Sequence, residues 1–209
     1  MTAGRGDGER FGIGLVRDAR RHRIGLVRTR VSVQFRDVDE LLATLAAGAD
    51  VGDDESVDVL THSLQCCALL AGVEPGDREL QVAGLVHDVG TVLQPRHPRT
   101  HARLGAAAVR DLLGARVARL VELHDQAKRY LVTTDPAYRH QLSARSVETL
   151  RLQGGLLDPV ERATLDADPD LPAALALRRA DDAAKVPGVV VPPLSHWRGL
   201  VDRLARSAA

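Results

Sequence analysis

The 209-residue sequence predicts an all-α fold, and three observations point there. Aromatic residues make up only 2% of a chain that is 44% apolar, so a core has to be assembled from Leu, Val and Ala, a mixture that favours helices. From Asp37 onward apolar residues recur at intervals of three and four rather than alternating. Segment after segment opens on Asp, Ser or Thr and closes on Gly, the residues that satisfy the open ends of a helix. The length suits one domain with a sizeable core and falls short of two.

Residues 1 to 36 stand apart. Arg5, Arg10, Arg17, Arg20, Arg21, Arg23, Arg28 and Arg30 are opposed only by Asp7, Glu9 and Asp18, and glycines interrupt any period. A basic, flexible N-terminal extension is expected there, ahead of a helical domain over 37 to 209. "DVDELLATLAAG" predicts a first helix from Asp37 to Gly48. "DDESVDVLTHSLQCCALLAGV" predicts a second, with Val57, Leu60, Leu64, Cys67 and Ala68 on its apolar stripe. "DRELQVAGLVHDVG" follows a Pro75–Gly76 turn, and "THARLGAAAVRDLLG" starts with Thr100 as its expected N-cap. "ARVARLVELHDQAKRYLV" reads as a long amphipathic helix. "SARSVETLRLQGG" has Ser143 as its cap and Gly154–Gly155 as its stop, and "DPVERATLDAD" places Asp158 before Pro159, the order of a helix start. "PAALALRRADDAAK" and "SHWRGLVDRLARS" complete the set. Alternation is weak and confined to "VRTRVSVQF" and "VVV" at 189 to 191.

Composition also excludes partners. Lys plus Arg and Asp plus Glu both total 28, so no net charge draws the molecule to nucleic acid or an anionic surface. No apolar run approaches the ~20 residues that span a bilayer, and "RDARRHR" interrupts any signal-peptide core. Cys66 and Cys67 are adjacent, lack CxxC spacing, and are expected to be small buried hydrophobes of a reduced, cytoplasmic protein.

The chemistry lies in the histidines. His22, His97, His140 and His196 fall in the basic arm, between prolines or near helix starts, and suggest surface positions. His62, His87, His101 and His124 instead sit beside the apolar stripes of predicted helices, and Asp88 directly follows His87. Each unmatched buried polar group costs ~1–3 kcal/mol, and a divalent cation removes that penalty for imidazoles and carboxylates together. Around them, Lys128 lies one helical turn after His124, and Arg178 one turn before Asp181. Ser146, Thr149 and Gln153 form an uncharged polar stripe on one helix, suited to phosphate-like oxygens, with Val147, Leu150 and Leu152 opposite. Lys128 and Arg178 could clamp a tetrahedral anion beside the metals.

The order His62, His87–Asp88, His101, His124, Asp181 resembles the HD-domain superfamily, an all-α helical bundle with a buried, here dinuclear, metal site. That resemblance implies that Asp88 bridges two ions, with His62, His87 and Asp181 on one and His101 and His124 on the other. The stretches "THSLQCC", "GLVHDVG", "HDQAKRYLV", "LSARSVETLRLQGG" and "RRADDAAK" further resemble the HD-domain mixed-valent diiron oxygenases that cleave organophosphonates, over roughly residues 37 to 209. This implies an Fe(II)/Fe(III) pair, dioxygen as co-substrate, and a small 1-hydroxyphosphonate split into phosphate and a carboxylic acid. By motif position, Lys128, Ser146, Thr149, Gln153 and Arg178 hold or border the phosphonate, and Glu55 meets a cationic substituent. Asp88, His62 and Lys128 would carry the chemistry. Two positions depart from the pattern of aminophosphonate-cleaving members: Gly52 replaces a tyrosine that caps an iron, and Thr91 replaces a histidine near the substrate. The same ligands would also serve a dinuclear phosphohydrolase acting on a nucleotide or phosphate ester, or a metal-stabilised helical module without activity.

Overall fold

A computed structural model describes residues 34–52, 56–95 and 97–208. In chain order its helices are α1 (Val38–Ala47), α2 (Val59–Val73), α3 (Arg78–Val86), α4 (Val89–Leu93), α5 (His101–Leu113), α6 (Ala115–Thr134), α7 (Pro136–Arg139), α8 (Ala144–Leu152), α9 (Pro159–Asp166), α10 (Leu171–Ala183) and α11 (Leu194–Ala208). A 3-10 turn, Gly48–Asp50, follows α1. The only β pairing among the described residues is an isolated antiparallel bridge between Gly52 and Asp58. Residues 189 to 191 have no partner strand among the described residues, and nearly all of "VRTRVSVQF" and of the basic extension lies outside the described residues.

Most helix starts follow the capping chemistry of the sequence. Asp37 accepts from Glu40 N, Asp77 from Leu80 N and Ser143 from Ser146 N. Asp158 and Glu161 form a reciprocal capping box behind Pro159. Each such cap contributes about 1 kcal/mol. Thr100 is an exception: it occupies the N-cap position of α5, but its side chain makes no capping bond. The second helix is shorter than the sequence suggests. Asp58 accepts from Thr61 N at 2.8 Å and from its hydroxyl at 2.7 Å, so helical geometry begins at Val59 and not in the acidic run before it. At the end of α8, Gly154 and Gly155 adopt φ of 112° and 71°, a conformation open to glycine and strained for other residues.

The core sits where α2, α3, α5, α6 and α10 meet. α5 and α6, joined through Gly114 alone, pack extensively together, and α6 also lies on α3 and α10. α2 packs against both α3 and α10, and its burial exceeds one stripe. Leu64 and Cys67 are buried as expected, but so are Val59, Cys66, Leu70 and the polar His62, Ser63 and Gln65. Gln65 is satisfied by clasping the backbone of Val186 through its amide nitrogen at 2.8 Å and its oxygen at 3.1 Å. Both cysteines are free and buried, and burial raises the Cys67 thiol to about 12. Phe35 is buried against this core, its N–H bonded to Ala108 O at 3.0 Å. No described helix is long and apolar enough to cross a membrane.

Candidate metal centre

The sequence predicts a continuous helix through "GLVHDVG", but the chain breaks it at His87 and Asp88. α3 stops at Val86, Asp88 has φ −99° and ψ 11°, and α4 starts at Val89. The break lets adjacent side chains diverge into one buried space. His62 enters it from α2, His101 from the first turn of α5, His124 from the middle of α6 and Asp181 from α10. α4 and α5 approach closely at Gly90, where a Cβ would lie 2.0 Å from His101 O.

The imidazoles are arranged alike. Each Nδ1 faces a backbone carbonyl: His62 that of Ala184 at 2.9 Å, His87 that of Gly84 at 2.8 Å, His101 that of Pro98 at 2.9 Å and His124 that of Val121 at 2.6 Å. A carbonyl can only accept, so Nδ1 carries the hydrogen in the neutral ring and Nε2 is a bare lone pair. Those lone pairs are directed at one another, with Nε2–Nε2 distances of 3.1 Å for His62 and His87 and 2.9 Å for His101 and His124. Two acceptors cannot bond each other, and a cation between them removes the conflict. An Nδ1–H anchored on a carbonyl is also how metal-bound histidines are commonly oriented.

The carboxylates fit the same reading. Asp88 Oδ2 lies 3.5 Å from His87 Nε2 and 3.7 Å from His62 Nε2, while Oδ1 lies 3.4 Å from His101 Nε2 and 3.9 Å from His124 Nε2. One oxygen thus serves each pair. Asp181 Oδ1 is 3.3 Å from His62 Nε2. Ligand atoms of His62, His87 and Asp181, and of Asp88, His101 and His124, form groups mutually within 4.8 Å. Burial lowers the His124 pKa to about 4, keeping that ring neutral and able to ligate. Burial opposes charge on Asp181, yet the Arg178 guanidinium holds its carboxyl well below the usual range.

An HD-domain model matches residues 59–184. The chain belongs to the HD-domain family. It is 36% identical over 158 residues to hydroxymethylphosphonate dioxygenase of Gimesia maris, covering 71% of this chain and 78% of that protein. It is 31% identical over 158 residues to [1-hydroxy-2-(trimethylamino)ethyl]phosphonate dioxygenase (glycine-betaine-forming) of Leisingera caerulea, covering 72% of this chain and 80% of that one.

Beside its His/Asp cluster this HD domain opens a cavity. Lys128, Ser146, Thr149, Gln153, Arg178 and Thr91 all line it together with His62, Asp88, His101, His124 and Asp181; the fully buried His87 lies behind. The polar stripe of α8 therefore faces inward. Lys128 Nζ donates to Thr149 Oγ1 at 2.9 Å, and burial, with Arg178 next in effect, lowers its pKa to about 8. Arg178 is more committed than the sequence suggests. Its guanidinium donates to Asp181 Oδ2 at 2.7 Å, to Tyr138 Oη at 2.9 Å and to Asp182, with Ser146 Oγ at 3.4 Å. Glu55 lies outside the described residues. Sequence reasoning overlooked Asp125, His97, Gln94, Arg145 and Lys185, which also line the cavity. Only Asp125, directly after His124, carried a signal, since one step along a helix turns ~100° and leaves it beside the ligand face.

Proposed function

We propose that this chain is an oxygenase that cleaves the carbon–phosphorus bond of a small 1-hydroxyphosphonate with dioxygen, releasing phosphate and a carboxylic acid. One observation carries this reading: the cavity places Lys128, Ser146 and Thr149 in the same walls as the donor groups of two candidate metal positions. The hydroxyphosphonate dioxygenases named among its relatives support the substrate class. The overall change is balanced without a reductant. The carbinol carbon loses four electrons, one dioxygen accepts them, and carbon and phosphorus each end with one oxygen more.

Two ions, proposed as an Fe(II)/Fe(III) pair, would be held by His62, His87 and Asp181 on one side and by His101 and His124 on the other, with Asp88 between. When bound, the pair supplies the redox couple that activates dioxygen and the Lewis acidity that fixes the substrate's oxygens. The remaining work falls to the chain. Lys128 offers the phosphonate an ammonium group already oriented by Thr149, whose own hydroxyl donates to Ser146 O, and the hydroxyl of Ser146, which accepts from Arg178, offers a further donor. Gln153 closes the same wall through its bond to Asp125 at 2.5 Å. Arg178 acts chiefly on Asp181: it occupies Oδ2 and leaves Oδ1 toward His62. Thr91, in the same cavity wall, would meet the carbon substituent.

The test is turnover of hydroxymethylphosphonate, 2-amino-1-hydroxyethylphosphonate and its trimethylammonium analogue by iron-loaded protein. Phosphate should appear with one equivalent of dioxygen consumed, and a coupled Fe(II)/Fe(III) paramagnetic signal should change when substrate is added. Phosphate released from nucleotides or phosphate esters under anaerobic conditions, with no oxygen-dependent phosphonate turnover, would replace this reading with hydrolysis.

A further inference from the structure

We propose that Asp125 is a metal ligand: with His101 and His124 it makes a second set of two imidazoles and one terminal carboxylate, the counterpart of His62, His87 and Asp181. This rests on the reading of the cluster as a two-metal site. The geometry is close to that of the first set. Asp125 Oδ1 lies 3.5 Å from His124 Nε2 and 3.8 Å from His101 Nε2. Asp88 Oδ1 approaches the same nitrogens at 3.9 Å and 3.4 Å, so a cation beside the histidine pair would have carboxylate oxygens from two residues within reach. Two histidines and one carboxylate with open positions is the donor set that suits non-haem Fe(II) in oxygen chemistry.

The surroundings of Asp125 favour this over a purely structural role. The residue is buried and lines the cavity. A buried carboxylate needs compensation by charge; Gln153 supplies an amide hydrogen bond but no charge, and the nearby Lys128 ammonium attracts Asp125 only through space while it donates to Thr149. Gln153 Nε2 occupies one lone pair of Oδ1, which leaves the other for an ion and fixes where it points. Gln153 Nε2 also reaches Pro98 O at 3.4 Å, which anchors the amide from a second side, while its Oε1 is buried without a hydrogen-bond partner. With Asp125 included, both ions have equal protein donor sets, and they should bind with similar affinity.

Anaerobic titration of metal-free protein with Fe(II), with metal analysis of the filtered product, tests this directly. Wild type should take up about two ions per chain. D125N should retain the ion at His62 and His87 and lose the other or bind it about 10- to 100-fold more weakly. D181N should do the reverse. Retention of the first ion by D125N demonstrates that it has folded. If D125N fails to fold, Gln153→Leu, which removes only the group that orients Asp125, should weaken the second ion several-fold. Unchanged affinity for both ions in D125N, or in Gln153→Leu where that variant has to stand in, overturns the proposal. Failure of wild type to release phosphate from hydroxymethylphosphonate, with both ions bound, would count against the proposed activity and leave the ligand assignment in place.

Discussion

His62 and His87 face each other through Nε2 atoms 3.1 Å apart while the Nδ1 of each is committed to a backbone carbonyl. His101 and His124 repeat the relationship at 2.9 Å. A metal-free protein must either hold these lone pairs in opposition or protonate buried rings, and both carry a cost. Chelation should therefore lower the melting temperature. An ion present at about a thousand times its dissociation constant stabilises the folded chain by about 4 kcal/mol. For a domain of this size that corresponds to a shift on the order of 10 °C, reversed by adding iron. Scanning calorimetry before and after chelator treatment measures it, and coincident transitions would show that the imidazoles are not metal-bound.

Lys128 gives a pH dependence with a definite sign. Burial, followed by the nearby Arg178, lowers its pKa to about 8, so the ammonium is charged below that value and loses its charge above it. Phosphonate binding should weaken as pH rises through about 8, seen as a KM that climbs up to about tenfold per unit. Replacement by Gln removes a charge-assisted hydrogen bond of about 1.5–3 kcal/mol. KM at pH 7 should then rise by about 10- to 100-fold and lose this alkaline limb, with iron content unchanged. A KM profile for K128Q that parallels wild type would remove Lys128 from the anion site.

Helix class and the burial and clustering of four histidines were legible in the sequence for one physical reason. His62, His87, His101 and His124 interrupt apolar stripes, and a buried imidazole without a partner is too costly to be incidental. Caps such as Asp37, Ser143 and Asp158 were legible because capping is local. What escaped depends on contacts between distant segments. The break at His87–Asp88 is helical by propensity and is imposed by the need to aim two adjacent side chains apart. Arg178 reads as a free cation until Tyr138 and Asp182 close around it. Asp125 has only its place beside His124 to mark it in the sequence, and its bond to Gln153 comes from a segment 28 residues away.

Gly90 should be intolerant of a side chain. A Cβ there would meet His101 O at 2.0 Å and Gly105 N at 3.0 Å, and both are backbone atoms that move only if α5 moves. Gly90→Ala should cost about 1–3 kcal/mol or more and displace His101, so the ion at His101 and His124 should be lost before the other. Gly72 in α2 is the internal control, since a Cβ there meets nothing within 4 Å. Gly72→Ala should be neutral or stabilise by up to about 1 kcal/mol. Urea midpoints and iron stoichiometry distinguish the two variants, and equal behaviour would show that the α4–α5 approach is not tight.

Tyr138 should act on the metal site at a distance. Its hydroxyl accepts from Arg178 Nε at 2.9 Å and donates to Asp182, so it braces the guanidinium that holds Asp181 Oδ2. Tyr138→Phe leaves the Arg178 contacts to both carboxylates but removes their common support, at a cost of about 1–2 kcal/mol. With Arg178 less constrained, Asp181 Oδ1 is less firmly aimed at His62, and the ion at His62 and His87 should bind several-fold more weakly. The ion at His101 and His124 has no such dependence and should be unaffected. A uniform loss at both positions would indicate general destabilisation. No loss at either would mean that Asp181 is positioned without help from Arg178. Differential weakening, read in the same Fe(II) titration, is what a brace acting through Asp181 predicts.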